Sequence, residues 1–374
     1  MQYRALGETG IEISALGFGG MRLPTKQVNG EAVFDTEESV RIIREGIDLG
    51  INFVDTAPYY CDHQSEAIVG KALKDGYREK VYLSTKLPGA DKGYDGARKR
   101  LEESLTRLGT DYIDIYHLWS MNWERYETET VPDGQLRMAL KAKEEGLIRH
   151  LSFSFHDKPE NMFKFIDTGL FASVLCQYNL LDRSNEKGIA YAAEKGMGVI
   201  VMGPIGGGRL GRPSQTVQEL LPGKVQSSPE LALRYVLSNP GVCCALSGMG
   251  SSAMVRENAQ TASVAMALTP AEQEQVMKSM AENEKRAQLY CTGCNYCMPC
   301  PADVNIPYNF ELMNYHKVYD LTEYAKESYA SIGKDPWIKG KKASACVGCG
   351  ECESKCPQHL NIREQLRETA ETLG

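Results

Sequence analysis

The sequence has no apolar run long enough to cross a bilayer and no basic start leading into an apolar stretch. Neither a membrane span nor a secretion signal is expected. It also lacks any block of basic residues interleaved with aromatics, and 49 Asp+Glu outnumber 42 Lys+Arg for a formal charge of −7. That balance argues against a nucleic-acid partner. Charged residues stop at 24% against 42% hydrophobic, enough apolar material for a sizeable core and too much for global disorder. These absences leave a soluble, cytoplasmic protein as the expectation. Its 374 residues suit one large domain plus one small one.

Cysteine is plentiful. Of 12 cysteines, eight fall after residue 290 in two tight groups, and Cys61, Cys176, Cys243 and Cys244 are scattered before them. A long chain without a secretion signal is a poor candidate for a disulfide scaffold. The groups read as metal ligands, Cys176 and Cys243-Cys244 as packing residues in strand-like runs, and Cys61 as an inert loop cysteine.

From Ala15 to Ser263 short apolar runs alternate with amphipathic ones. The runs are Ala15–Phe18, Asn52–Asp55, Val81–Lys86, Tyr112–Leu118, His150–Ser154, Val174–Tyr178, Gly198–Met202 and Val242–Leu246. Helical patterns lie between them, among them Thr36–Leu49 behind an N-capping Asp35, with Glu38 three residues on. Eight strand–helix units in about 250 residues predict a (β/α)8 barrel in preference to an open doubly wound sheet. Residues 1–14 read as a hairpin turning at Gly7-Glu8-Thr9-Gly10, and Pro270–Asn283 as an extra helix. The pattern breaks at Cys291, so the expected domains are 1–283 and 284–374, the latter mainly helical between Tyr308 and Ile332.

Cys291, Cys294, Cys297 and Cys300 precede Pro301; Cys346, Cys349, Cys352 and Cys356 precede Pro357. The second run has the bacterial C-x2-C-x2-C-x3-C-P spacing, and the first is one residue shorter before its last Cys. Three thiolates on a tight loop can cap three corners of a cube while the fourth leaves the other way. Four thiolates also suit zinc, but zinc sites separate two pairs by a longer loop, so two [4Fe–4S] clusters are expected. The tail resembles a two-cluster ferredoxin module. That resemblance implies cross-ligation: Cys291, Cys294, Cys297 and Cys356 on one cluster, Cys346, Cys349, Cys352 and Cys300 on the other.

In the barrel, Asp55 ends the second strand, Tyr60 follows five residues later, and Lys86 ends the third. Barrel active sites are built at the C-terminal strand ends. A phenol is a poor acid at neutral pH unless a nearby cation stabilises its phenolate, and a Lys held by a carboxylate can do so. The residues alone leave open a tunable proton donor or a buried ion pair with a coincidental Tyr.

Phe53-Val54-Asp55-Thr56-Ala57, Tyr60, Ser65-Glu66, Ser84-Thr85-Lys86, Ile148–Ser154, Gln177-Tyr178-Asn179 and Gly203-Pro204 resemble the aldo-keto reductase family, in its order, over residues 1–265. The resemblance implies catalytic roles for Asp55, Tyr60 and Lys86. It also implies that Ser154 and Gln177 hold a nicotinamide carboxamide and that Asn258 faces the adenine end. Trp119 stands where the family has its catalytic His. His117, two residues earlier, lies one layer deeper and reads as a core histidine in preference to a substitute. Met202 replaces the usual stacking aromatic, and Gly248, Met249 and Met254 replace the residues that grip a 2′-phosphate, with Arg256 pointing away. NADH is therefore expected to bind at least as well as NADPH. Gly206-Gly207-Gly208-Arg209 can hold phosphate through backbone N–H groups and a guanidinium, including that of a flavin.

The expected activity is reduction of a small carbonyl or activated alkene, linked to the two clusters and to a ferredoxin-type redox partner. Clusters pass single electrons whereas a nicotinamide delivers a hydride, which a flavin could reconcile. The alternative is a sensing, non-catalytic barrel whose ferredoxin tail serves another enzyme.

Overall fold

The apolar runs fold as strands, in a computed structural model that describes residues 1–89, 93–263, 268–288, 295–335, 338–356 and 359–374, without the side chains of 283–288. β1 (Tyr3–Ala5) and β2 (Glu12–Ser14) form the antiparallel hairpin expected of the first residues. β3 (Leu16–Gly19) opens the barrel, and β4 (Thr25–Val28) and β5 (Glu31–Phe34) pair as a second, exposed hairpin after it. The barrel continues with β6 (Phe53–Asp55), β7 (Tyr82–Leu87), β8 (Ile113–Met121) and β9 (Ile148–Phe155). It ends with β10 (Ser173–Gln177), β11 (Gly198–Met202) and β12 (Cys244–Ser247), which closes back onto β3. All eight barrel strands are parallel and pair in chain order.

Alternation along the strands sends one residue in two inward. Phe53, Ile115, Leu175, Ile200 and Leu246 pack together in the lower barrel, with Leu6 and Ile13 in the same cluster. Each such side chain contributes about 1.5–3 kcal/mol when fully buried. Two residues further along β6 and β10 come Asp55 and Gln177, so the polar groups occupy the layer above this apolar floor.

The helix Thr36–Asp48 begins as expected, with the Asp35 carboxylate accepting the Glu38 N–H at 3.2 Å. Helices at Ser65–Ala72 and Ser252–Ser263, not signalled by the sequence pattern, complete the ring. In the first, even Ser65, Glu66 and Gly70 are buried, which erases the polar face that periodicity needs.

The chain divides into two compact units, Met1–Gly208 with Ala232–Leu268, and Arg209–Leu231 with Thr269–Gly374. This differs from a boundary at 283/284. Within the second unit Arg212 pairs with Glu327 at 2.7 Å and Ser214 Oγ donates to the Tyr319 carbonyl at 2.7 Å. Those contacts draw the segment after β11 to the C-terminal part of the chain. The helical middle expected there is two helices, Ile306–Tyr319 and Thr322–Ser331, separated at Asp320 with φ 54°. A further helix, Ile362–Leu373, ends the chain.

Candidate active site

β6 and β7 are adjacent, which brings Asp55 and Lys86 together at the upper end of the barrel. The buried Lys86 Nζ donates to Asp55 Oδ1 at 2.7 Å, to Oδ2 at 2.6 Å and to the Thr56 carbonyl at 2.8 Å. Ser84, two residues back on the same face, donates to Asp55 Oδ1 at 2.5 Å. Burial lowers the Lys86 pKa, but Asp55 and then Tyr60 more than offset it, so its pKa is raised and the ammonium is kept. Tyr60 lies with its ring centroid 4.9 Å from Nζ. Burial pushes the phenol above its ordinary value, Lys86 opposes the rise, and Asp55 adds to it. Tyr60 is thus a protonated phenol beside a fixed cation.

His117 sits opposite Lys86 in the β7–β8 register. It is fully buried, with Nε2 3.8 Å from Asp55 Oδ1 and no hydrogen-bond partner for either ring nitrogen among the described residues. Burial and then the Lys86 charge lower its pKa well below the ordinary value. His117 is neutral, beneath the mouth.

Trp119 lies where the β8–β9 register shifts between Leu118 and Met121, next to Ser120 with φ 54°. Its ring stands edge-on to Tyr60 at 5.7 Å and tilted against Tyr59 at 5.5 Å. The bulge is clasped from two sides. The Ser120 N–H donates to Ser154 Oγ at 2.9 Å, and Arg125 Nη1 donates to the Trp119 and Ser120 carbonyls at 2.9 and 3.1 Å. A Cβ on Gly89 would run into the Arg125 guanidinium. Arg125 carried no sequence signal, because its carbonyl acceptors exist only once the strand bulges at Trp119 and Ser120.

On the neighbouring strands Gln177 and Met202 are register partners, and Asn258 Nδ2 donates to Ser247 Oγ at 3.3 Å. Gly206, Gly207 and Gly208 all have positive φ, a conformation that L side chains resist. Two of their N–H groups are used within the loop, Gly206 to the Gly203 carbonyl at 2.8 Å and Gly208 to Ile205 at 3.2 Å. Arg209 is engaged in the second unit, with the Tyr315 hydroxyl and with Glu311 at 3.8 Å. Arg256 is held by Glu45 at 2.6 Å.

The cation at the glycine loop is Arg22, which the sequence reading missed. A Cβ on Gly208 would lie 3.7 Å from its Nη1, one on Gly207 3.9 Å from Nη2, and one on Gly248 3.3 Å from its Cβ. The exposed side chain thus runs from the end of β12 to the loop after β11, and no carboxylate pairs with it among the described residues. The missing Cβ atoms leave a cradle beneath a guanidinium, which fits a dinucleotide diphosphate. Arg22→Ala is expected to weaken NADPH or NADH binding about tenfold or more, the worth of one charge-assisted contact. Fluorescence titration at two salt concentrations would show it, and an unchanged dissociation constant would remove Arg22 from the site.

The Aldo/keto reductase family profile matches residues 15–279, and a 4Fe-4S dicluster domain profile matches 290–361. The chain belongs to the aldo/keto reductase family. L-galactose dehydrogenase of Arabidopsis thaliana is 32% identical over 288 residues, covering 69% of this chain and 87% of that protein. The uncharacterized oxidoreductase YqkF of Bacillus subtilis is 29% identical over 295 residues, 70% of this chain and 91% of its own. Among solved structures, the holo form of aldo-keto reductase AKR11C1 from Bacillus halodurans superposes with a TM-score of 0.64 at 30% identity, covering 75% of this chain and 96% of that one. This aldo/keto reductase is therefore an oxidoreductase on a (β/α)8 barrel with a C-terminal dicluster domain.

Of the eight clustered cysteines, Cys291 and Cys294 lie outside the described residues. Cys297, Cys352 and Cys356 are buried, Cys300 and Cys346 half-buried, and Cys349 exposed. Burial pushes the Cys352 thiol up, followed by Glu353, and Cys346 and Cys300 are near enough to add to the rise. Among the described residues no three His, Cys, Asp or Glu side chains converge on a single metal ion. The thiolate donor set and the dicluster match fit iron–sulfur clusters. No helix among the described residues is long and apolar enough to cross a membrane.

Proposed function

We propose that the barrel reduces a small carbonyl or activated alkene with a nicotinamide dinucleotide, Tyr60 being the proton donor, and that this chemistry is linked to two [4Fe–4S] clusters in the second unit. The observation that carries the reading is the Asp55–Lys86–Tyr60 group: a buried ammonium fixed by three acceptors beside a buried phenol. A bound nicotinamide supplies the hydride. The chain's part is to hold the acceptor oxygen at Tyr60 Oη, give it the phenolic proton, and stabilise the phenolate left behind through Lys86. Trp119 has one indole donor and no titrating proton, so it shapes the pocket and shuttles nothing.

Gly248, Met249 and Met254 carry no charge for a 2′-phosphate, and burying that group unpaired is costly. Arg22 would serve the diphosphate common to both dinucleotides, so NADH is expected to bind at least as well as NADPH. Because clusters pass one electron at a time, a flavin over the glycine loop would join the two chemistries. A ferredoxin-type protein is the partner class the tail suits.

The test is an anaerobic spectrum with cofactor release on denaturation, then titration with each nicotinamide, then turnover of a diketone by the wild type and Tyr60→Phe. Loss of the proton donor should lower kcat by roughly 10²–10⁴. A Tyr60→Phe protein with wild-type turnover would favour the sensing barrel, and tight NADPH selectivity without flavin would make this an ordinary family member.

A further inference from the structure

Strand β8 brings no imidazole to the mouth of the barrel. Trp119 fills the expected position on β8, and His117 is fully buried one layer below. The barrel unit holds three other histidines. His63 stands edge-on to Tyr59, ring centroids 5.0 Å apart, and His150 is near the start of β9, at the opposite end of the barrel. The remaining one is His156, directly after β9.

Its direction follows from the strand. The His156 N–H donates to the Met121 carbonyl at 2.9 Å, which carries the β8–β9 ladder one residue past Phe155. Period-two alternation therefore still holds at 156. Ser152 is the register partner of the inward His117, and Ser154 Oγ meets the Trp119–Ser120 bulge. His156 is the next residue of that row. Where Ser154 is buried, His156 is exposed at the rim.

We propose that His156 is a catalytic residue, donating a hydrogen bond from its neutral ring to the substrate oxygen that Tyr60 protonates. This rests on the carbonyl-reduction reading. The adjacent strand thus supplies the imidazole that β8 has lost to Trp119. The ring's electrical surroundings agree. Desolvation by the protein mass of the barrel mouth, and then the Lys86 ammonium, lower its pKa from the ordinary value although the side chain remains open to solvent, so at neutral pH it is an uncharged donor. The Asp157 carboxylate follows His156 directly in the chain but is taken up by the Trp123 and Lys158 N–H groups and the Asn161 amide.

The inference is tested on the full chain, purified anaerobically, with 2,3-butanedione as the reacting probe and acetate as an unreactive carbonyl mimic. His156→Ala should lower kcat/KM at least tenfold and remove the acidic limb of its pH profile. Trp119→His added to His156→Ala should restore part of the loss. Independently of turnover, the His156 ring C2–H signal, assigned by its absence in His156→Gln, should titrate at higher pH when acetate is added. An acetate-insensitive signal overturns the inference, as does a His156→Ala protein with a wild-type pH profile while Tyr60→Phe is impaired. Turnover unchanged by Tyr60→Phe would instead remove the carbonyl reading on which the inference stands.

Discussion

Lys86→Met is expected to cost both turnover and fold. The ammonium donates to both Asp55 oxygens and to the Thr56 carbonyl, in a site closed to solvent. Without these bonds Asp55 keeps, among the described residues, the Ser84 hydroxyl at 2.5 Å. Breaking a buried pair by removing one partner costs about 3–5 kcal/mol, because the remaining charge is uncompensated. Denaturant unfolding should register that loss. Turnover of a diketone should fall by roughly 10²–10⁴, since Tyr60 would have to leave its phenolate without a cation. Adding Asp55→Asn should recover much of the stability and none of the turnover, which separates the two effects. A Lys86→Met protein within twofold of wild-type activity would refute the assignment.

The pH dependence of this group has a defined direction. The Lys86 pKa is raised in the folded chain, so its stabilisation is complete below the unfolded value and is lost as pH climbs through the folded one. The Tyr60 pKa is also raised, so the proton it gives should remain in place to at least the ordinary phenol value, about 10. His117 works at the other end. Its lowered pKa means that the unfolded chain takes up a proton that the folded chain refuses, and stability falls as pH drops through about 6.5.

Asp55, Tyr60, Lys86 and the cysteine runs were legible because each announces itself locally, as a charge closing an apolar run or as thiols at fixed intervals. The eight strands were legible for the same reason. Helix Ser65–Ala72 was not, since its buried Ser and Glu give it no polar face. Nor was Arg22, whose guanidinium meets glycines nearly 190 residues away. Arg209 shows the converse. Its place in a glycine-rich loop suggested a phosphate contact, yet its side chain is bound to Tyr315 and Glu311. Local spacing identifies a donor's type, whereas its partner depends on which loops the closed barrel brings together.

Exchanging single cysteines should affect the cluster of the opposite run. With cross-ligation, Cys300→Ala removes a ligand from the set Cys346, Cys349 and Cys352, and Cys356→Ala removes one from the set that includes Cys297. The exchange is what the resemblance to two-cluster ferredoxin modules implies, and the spacing of the two runs permits it. Wild-type protein prepared anaerobically should hold roughly eight iron and eight acid-labile sulfide per chain, as two cubes require. Each variant should lose about half of both. The reduced spectrum should then keep a single cluster signal, and the two variants should keep different ones. Which signal belongs to which run is fixed by Cys349→Ala, since that exposed cysteine lies inside the second run. If Cys300→Ala and Cys349→Ala lose the same signal, the runs exchange their last ligands. If Cys356→Ala and Cys349→Ala lose it together, each run serves itself and cross-ligation is wrong. Stoichiometric zinc without visible absorbance would reject the clusters altogether.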